Sequence, residues 1–168
     1  KTSSTGYALI ETQRKGRFFR EKAEELGVPV GKDFSILHEG NSITLKDGTI
    51  VSPEQVIGPP RPGRKIAYTG DTRPTKTIIE AVSGFDLLIH DSTFTEEYKQ
   101  RAELTGHSTA IEAADLATEA DISHLVLTHI SSRFSGNSKL LLNEAKNRFK
   151  GELTLAHDGL EIDIPYTN

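Results

Sequence analysis

From Lys65 onward, short apolar runs alternate with stretches of helical periodicity, and this alternation most narrows the folds open to the chain. It predicts strands over 65–69, 87–90, 124–128, 153–156 and 160–164, and helices near 75–83, 96–104, 108–120 and 138–149. Such a pattern specifies an α/β layer architecture. Leu87-Leu88-Ile89 and Leu125-Val126-Leu127 are apolar at every position, as expected of strands covered on both faces. Tyr7-Ala8-Leu9-Ile10 is a further β-type run predicted to join the same sheet.

The character of the chain changes at Thr12, and residues 13–64 read as an insert. A helix is expected over Arg17 to Leu26, with Phe18, Phe19, Ala23 and Leu26 on one side and Gly27 as its stop. Asp47-Gly48, between Ser42–Leu45 and Thr49–Val51, signals a small hairpin. Gly58-Pro59-Pro60-Arg61-Pro62-Gly63 predicts a stiff extended return. With so few apolar side chains, the insert is expected to protrude as an arm rather than build its own core.

Charge and composition restrict the chemistry. Formal net charge is −4, yet residues 13–65 carry +3 and the remainder −7. The first of these regions can approach a polyanion, whereas the acidic remainder would need a divalent cation to receive phosphate. Cysteine is absent, so a metal would be held by imidazole and carboxylate, which suits zinc or manganese. No apolar run approaches the roughly 20 residues of a membrane span and no secretory signal is visible, so a cytoplasmic location is expected. Methionine is absent even at position 1, from which the chain is expected to be part of a longer polypeptide.

Two side chains stand where predicted strands end: Asp71 after Lys65–Thr69, and His129 after His124–Thr128. Functional groups of layered α/β proteins collect at such ends. Asp71 fits a turn carboxylate capping the helix that follows, and equally a carboxylate bridging two cations. His129 fits a loop histidine bonded to backbone, and equally a metal ligand. Ser131, Ser132 and Arg133 follow directly, and Arg133 fits either a surface ion pair or a phosphate contact. At His157-Asp158-Gly159 a turn is expected.

Tyr68-Thr-Gly-Asp-Thr-Arg-Pro74, Leu88-Ile-His-Asp-Ser-Thr-Phe94, Gly106-His-Ser-Thr109 and Leu127-Thr-His-Ile-Ser-Ser-Arg133 stand in the order and spacing of the ribonuclease Z family. The chain resembles the C-terminal half of those metallo-β-lactamase-fold endonucleases, which remove 3′ trailers from precursor tRNA. The resemblance covers essentially the whole chain, insert included. It implies half of an αββα sandwich, divided into a sheet strand in 1–12, a flexible tRNA-binding arm in 13–64 and the C-terminal half-domain in 65–168. It also implies two zinc ions per site, with manganese as an alternative, and a homodimer acting on precursor tRNA.

Carried over by residue, the resemblance implies that Asp71 bridges the two metals and His129 is a terminal ligand. It implies that His107 donates a proton to the leaving oxygen. Asp91 stands where the family's His-Glu-Ala-Thr motif has glutamate, the partner of that histidine. Aspartate is one methylene shorter, which makes a direct Asp91–His107 contact harder to form. Ser131 and Arg133 are expected against substrate phosphate, and Arg14, Lys15, Arg17, Arg61 and Arg64 at the feet of the arm are expected to grip tRNA phosphates. His90 fits a packing role as well as one behind the site. The family's His-x-His-x-Asp-His motif and a further ligand histidine are not in this chain, so two ligands alone would not complete a dimetal centre. Two other readings are a dimetal phosphodiesterase for a different phosphodiester, and a non-catalytic RNA-binding fragment.

Overall fold

The computed structural model describes residues 3–166. In chain order its elements are β1 (Tyr7–Ile10), α1 (Arg20–Glu25), α2 (Lys32–Glu39), β2 (Ile43–Thr44), β3 (Ile50–Val51), α3 (Pro53–Val56), β4 (Lys65–Tyr68), α4 (Lys76–Ala81), β5 (Leu87–Asp91), α5 (Lys99–Thr105), α6 (Ala110–Glu119), β6 (His124–Thr128), α7 (Lys139–Lys146) and β7 (Glu152–Leu155). They divide into two units, one formed by the stretch up to Glu11 with Arg64–Tyr166, the other by Thr12–Gly63. Residues 1–2 and 167–168, at the outer ends of the expected 1–12 and 65–168 segments, lie outside the described residues.

The first unit is a five-stranded sheet of order β1-β4-β5-β6-β7. β4 to β7 are parallel and β1 is antiparallel to β4, with Tyr7 opposite Tyr68 and Leu9 opposite Ile66. Side chains alternate between the faces of a strand, so the register sorts the apolar residues. Ala67, Leu88, Leu125, Leu127, Leu153 and Leu155 share one face and pack against Ala113, Ala114, Ala117, Leu141 and Ala145 of the helices. Alanines along α6 let that helix lie close to the sheet. The opposite face carries Tyr7, Leu9, Ile66 and Tyr68 at its β1–β4 end, where Tyr7, Leu9 and Tyr68 are 70%, 61% and 41% exposed.

The expected strand over 160–164 does not form. Alternation of Leu160, Ile162 and Ile164 satisfies the period but not the need for a ladder partner. The Ile164 carbonyl instead accepts from Arg64 Nη1 at 3.1 Å, and the Arg64 guanidinium lies 4.3 Å from the centre of the Tyr166 ring.

The second unit corrects two expectations. Its first helix begins at Arg20 rather than Arg17, because Phe18 is paired in an antiparallel bridge with Ile57 and the Phe19 N–H bonds the Val56 carbonyl at 2.7 Å. Nor is the insert coreless: Ala23, Val28, Leu37, Ile43, Val51 and Val56 are buried together, flanked by Phe18 and Phe34. These buried residues come from α1, α2, β2, β3 and α3, with Val28 from the turn after α1, whereas Val30 and Ile50 stay exposed. α2 and α3 were not expected; α3 starts at the capping box of Ser52 and Gln55. The hairpin of β2 and β3 forms around Asp47-Gly48, with Asp47 accepting from the Thr49 N–H at 2.9 Å. At the feet, Arg14 and Arg61 exchange both backbone hydrogen bonds, at 2.8 and 3.0 Å. Gly16 is needed beside them: a Cβ there would fall 1.8 Å from the Gly58 carbonyl oxygen.

Candidate metal and acid–base site

The C-terminal ends of β4, β5 and β6 adjoin one another because these strands are parallel neighbours, and each delivers a polar group there. β4 runs into Thr69-Gly70-Asp71. Gly70 sits at φ +66°, and a Cβ there would meet the Thr5 carbonyl and Ser4 Oγ at 3.0 Å. β5 ends on Asp91, fully buried. β6 leads to His129, whose φ of 58° places a non-glycine residue in the left-handed region. Conformations of that kind are held by surrounding contacts and concentrate at functional sites.

Asp71, His107 and His129 come together, with one ligand atom from each lying within 4.8 Å of the other two. His129 Nε2 is 3.3 Å from Asp71 Oδ2, and the His107 and His129 rings stack 4.8 Å apart. His107 arrives from the turn between α5 and α6. Gly106 ends α5 at φ +81°, and Thr109 starts α6 with a capping box to Glu112.

Asp91 organises the polar groups behind these three. Its Oδ2 accepts from His107 Nδ1 at 2.7 Å and from the Thr72 N–H at 3.0 Å. Its Oδ1 accepts from the Thr93 N–H at 2.9 Å and Thr93 Oγ1 at 2.7 Å. The shorter side chain therefore does reach His107. A carboxylate accepting four hydrogen bonds is the form in which a charge can be fully buried.

Thr93 extends this order to His129. Its hydroxyl proton goes to Asp91, so its oxygen accepts from His129 Nδ1 at 2.8 Å. That assignment puts the His129 proton on Nδ1 and a lone pair on Nε2, the atom facing Asp71 Oδ2. An imidazole lone pair opposed to a carboxylate oxygen at 3.3 Å is the arrangement a cation relieves. The donor set, imidazole and carboxylate without thiolate, fits zinc or manganese.

The other expected residues lie in different settings. Ser131 donates its N–H to the Thr93 carbonyl at 3.1 Å. Arg133 lays its guanidinium over the Tyr98 ring at 4.7 Å, beside Phe134. In the second unit Lys15 Nζ donates to the His38 carbonyl and Arg61 Nε to the Lys15 carbonyl, which engages their protons without cancelling their charge. Arg14 Nε donates to the Pro62 carbonyl, and the Arg17 carbonyl accepts from the Gly58 N–H. Arg64 has a different task. Its Nε and Nη2 grip both oxygens of Glu11 at 2.9 and 2.6 Å, so a phosphate there would have to displace a carboxylate. His90 is buried, donating Nδ1–H to the Asp91 carbonyl, and burial holds it below the usual histidine value. His157-Asp158-Gly159 is a turn, closed by the Leu160 N–H to the His157 carbonyl at 3.1 Å.

Sequence reasoning missed Thr93, Arg73 and Glu112. Arg73 Nη1 donates to Glu112 Oε2 at 2.5 Å and to the His107 carbonyl at 2.8 Å, and Nη2 to Glu112 Oε1. Burial would raise the Glu112 carboxyl, but Arg73 and the Thr109 N–H outweigh it and hold the group below its ordinary value. The Thr109-x-x-Glu112 capping signature was the available signal.

A profile described as a beta-lactamase superfamily domain matches residues 36–130. The protein named Ribonuclease Z in Halobacterium salinarum is 56% identical over 165 residues, covering 98% of this chain and 53% of that protein. Ribonuclease Z of Haloferax volcanii is 52% identical over 168 residues, covering 100% of this chain and 53% of its own. Among solved structures, the metallo-beta-lactamase fold protein YhfI from Bacillus subtilis superposes with a TM-score of 0.53 at 32% identity, over 58% of this chain and 39% of that one. The chain thus spans about half the length of the curated relatives it matches.

Proposed function

The chain belongs to the beta-lactamase superfamily, and on that premise we propose that it is the C-terminal half of a zinc-dependent endoribonuclease removing the 3′ trailer from precursor tRNA. The observation that carries this reading is the convergence of Asp71, His107 and His129 on one strand-end edge, backed by Asp91. The open apolar face at the β1–β4 end suits one layer of a sandwich whose other layer comes from the rest of the protein.

In this reading Asp71 and His129 hold two zinc ions together with ligands from the remainder of the protein, and manganese could replace zinc. When bound, the metals supply an activated water and neutralise charge on the phosphate. His107, held at Nδ1 by Asp91, gives a proton from Nε2 to the departing 3′ oxygen. Arg133, flattened on Tyr98, presents a preoriented fork to phosphate, with the Ser131 hydroxyl as a further donor. Arg14, Lys15, Arg17 and Arg61 form a basic foot from which the insert, as a tRNA-binding arm, tracks folded RNA by its phosphates. Arg64 stays with Glu11 as a staple. No helix among the described residues is long and apolar enough to cross a membrane; we place the protein in the cytoplasm, as a homodimer in which one arm serves the partner's site.

The test is cleavage of a 3′-extended precursor tRNA by the full-length protein with zinc, beside Asp71→Ala and His129→Ala. Cutting at the base of the acceptor stem, lost in both variants, is expected. Replacing residues 12–63 by a short turn should abolish tRNA cleavage and spare a chromogenic phosphodiester. A full-length protein that hydrolyses the diester but leaves precursor tRNA intact would make it a general phosphodiesterase.

A further inference from the structure

The turn that carries Asp71 and the turn that carries His107 are 36 residues apart in sequence and share no secondary structure. Some interaction must set the distance between them. Two contacts do so directly, and a third works through Asp91, which also accepts from His107 Nδ1. Ser108 Oγ donates to the Thr72 carbonyl at 2.5 Å, the Thr72 N–H donates to Asp91, and Arg73 Nη1 donates to the His107 carbonyl at 2.8 Å. Arg73 is the member with a lever. Its fork grips both oxygens of Glu112, a largely buried residue of the first turn of α6 that also accepts the Thr109 N–H at 2.9 Å. Through that grip the guanidinium is registered to α6, and through Nη1 it fixes the peptide of His107. Glu103 stands 3.9 Å from Nη2, a weaker flanking charge.

We propose that Arg73 is a positioning residue. It locks the His107 turn to the Asp71 turn so that the imidazole meets the leaving oxygen at a set distance from the metal-holding edge. The proposal rests on the nuclease reading for its consequence in RNA cleavage, but not for the geometry of His107. A helix-capping role alone would affect stability and nothing else. A positioning role has a different signature, since a misplacement near 1 Å lowers turnover about 100-fold without weakening substrate binding. It also depends on the leaving group: an activated nitrophenolate departs without a proton donor, whereas a ribose 3′ oxygen does not.

The experiment uses the full-length protein with zinc and the variants Arg73→Gln, Arg73→Lys, Glu112→Gln and the Arg73→Gln/Glu112→Gln pair. On precursor tRNA, Arg73→Gln is expected to lower kcat about 10- to 100-fold with KM unchanged. Bis(p-nitrophenyl) phosphate hydrolysis and zinc content should stay within about threefold of wild type. The double variant should be no worse than the poorer single one, because both remove the same lock. Arg73→Lys should not rescue, since one ammonium cannot span Glu112 and the His107 carbonyl as a planar fork does. Histidine-selective 15N spectra of the same variants read the His107 Nδ1–H bond to Asp91 whatever the RNA result. Its loss or broadening in Arg73→Gln and in Glu112→Gln supports the lock. An unchanged His107 signal, additive effects, or equal losses on both substrates would overturn it. If wild type leaves precursor tRNA uncut while the His107 signal still changes, the nuclease reading fails and the lock stands.

Discussion

Replacing Asp91 by asparagine removes one charge and no volume, and its effect can be worked from four contacts. The amide oxygen keeps the Thr93 N–H and hydroxyl, at 2.9 and 2.7 Å in the native side chain. The amide NH2 then occupies the Oδ2 position, where the Thr72 N–H and His107 Nδ1–H both donate. His107 can adapt by moving its proton to Nε2 and accepting at Nδ1, but the Thr72 N–H has no such option. A buried donor left facing a donor costs about 1–3 kcal/mol, and exchanging a charge-assisted bond for a neutral one adds about 1 kcal/mol. The expected loss of unfolding free energy is therefore about 2–4 kcal/mol. Losing the carboxylate that supports the doubly protonated imidazole, the form that donates from Nε2, adds a catalytic defect beyond stability, on the order of 10²- to 10⁴-fold in single-turnover cleavage of precursor tRNA. Urea unfolding of the intact protein gives the first quantity and rapid-quench kinetics at saturating enzyme the second. An Asp91→Asn variant within about 0.5 kcal/mol of wild type would refute the assignment of all four contacts to an ionised carboxylate.

Thr93 and the buried histidines each give a further outcome. Thr93→Val keeps the shape but removes the hydroxyl oxygen that accepts from His129 Nδ1–H, so zinc affinity of the full-length protein should fall about 10- to 100-fold by chelator competition, with Thr93→Ser close to wild type; equal affinity in Thr93→Val would break the link to His129. Burial lowers the folded-state values of His90 and His124 beneath their unfolded value near 6.5. A lowered histidine takes its proton first in the unfolded chain, so its stabilising effect is complete above about pH 6.5 and is lost as pH falls toward the folded value, by up to about 1.4 kcal/mol per group for each unit. Urea midpoints should drop between pH 7.5 and pH 5.5, less steeply in His90→Gln, and a flat profile would contradict the buried neutral state.

What the sequence disclosed depended on whether a feature was local. β5 and β6 were legible because each centres on a compact run of apolar residues, β4 and β7 because short β-type runs stand between loop residues, and Asp71 and His129 stood out because each lies where such a run ends. The expected 160–164 strand failed since alternation reports which side chains face inward, not whether a ladder partner exists. The insert's core escaped notice because its members are scattered over five short elements and the turn after α1. Arg64 reads as one cation among many until Glu11, 53 residues away, is found in its fork. The Arg73–Glu112 grip spans 39 residues, and no local pattern links them. Thr93 lay within a quoted motif, yet its role needs the position of His129, which only the pairing of β5 with β6 supplies.

The way the sheet releases the insert has a consequence for how such proteins diversify. Glu11 gives its backbone N–H to the Arg64 carbonyl at 2.9 Å, and its side-chain Oε2 accepts the Arg64 backbone N–H at the same distance. The two ends of the insertion are thus held side by side by β1 and β4, whatever lies between. Loop-closure entropy grows only logarithmically with length, about 0.6 kcal/mol for each doubling. The rung at Glu11 and Arg64 therefore acts as a socket: modules of quite different size, or a two-residue hairpin, can be exchanged there while the strand ends bearing Asp71, Asp91 and His129 stay in register.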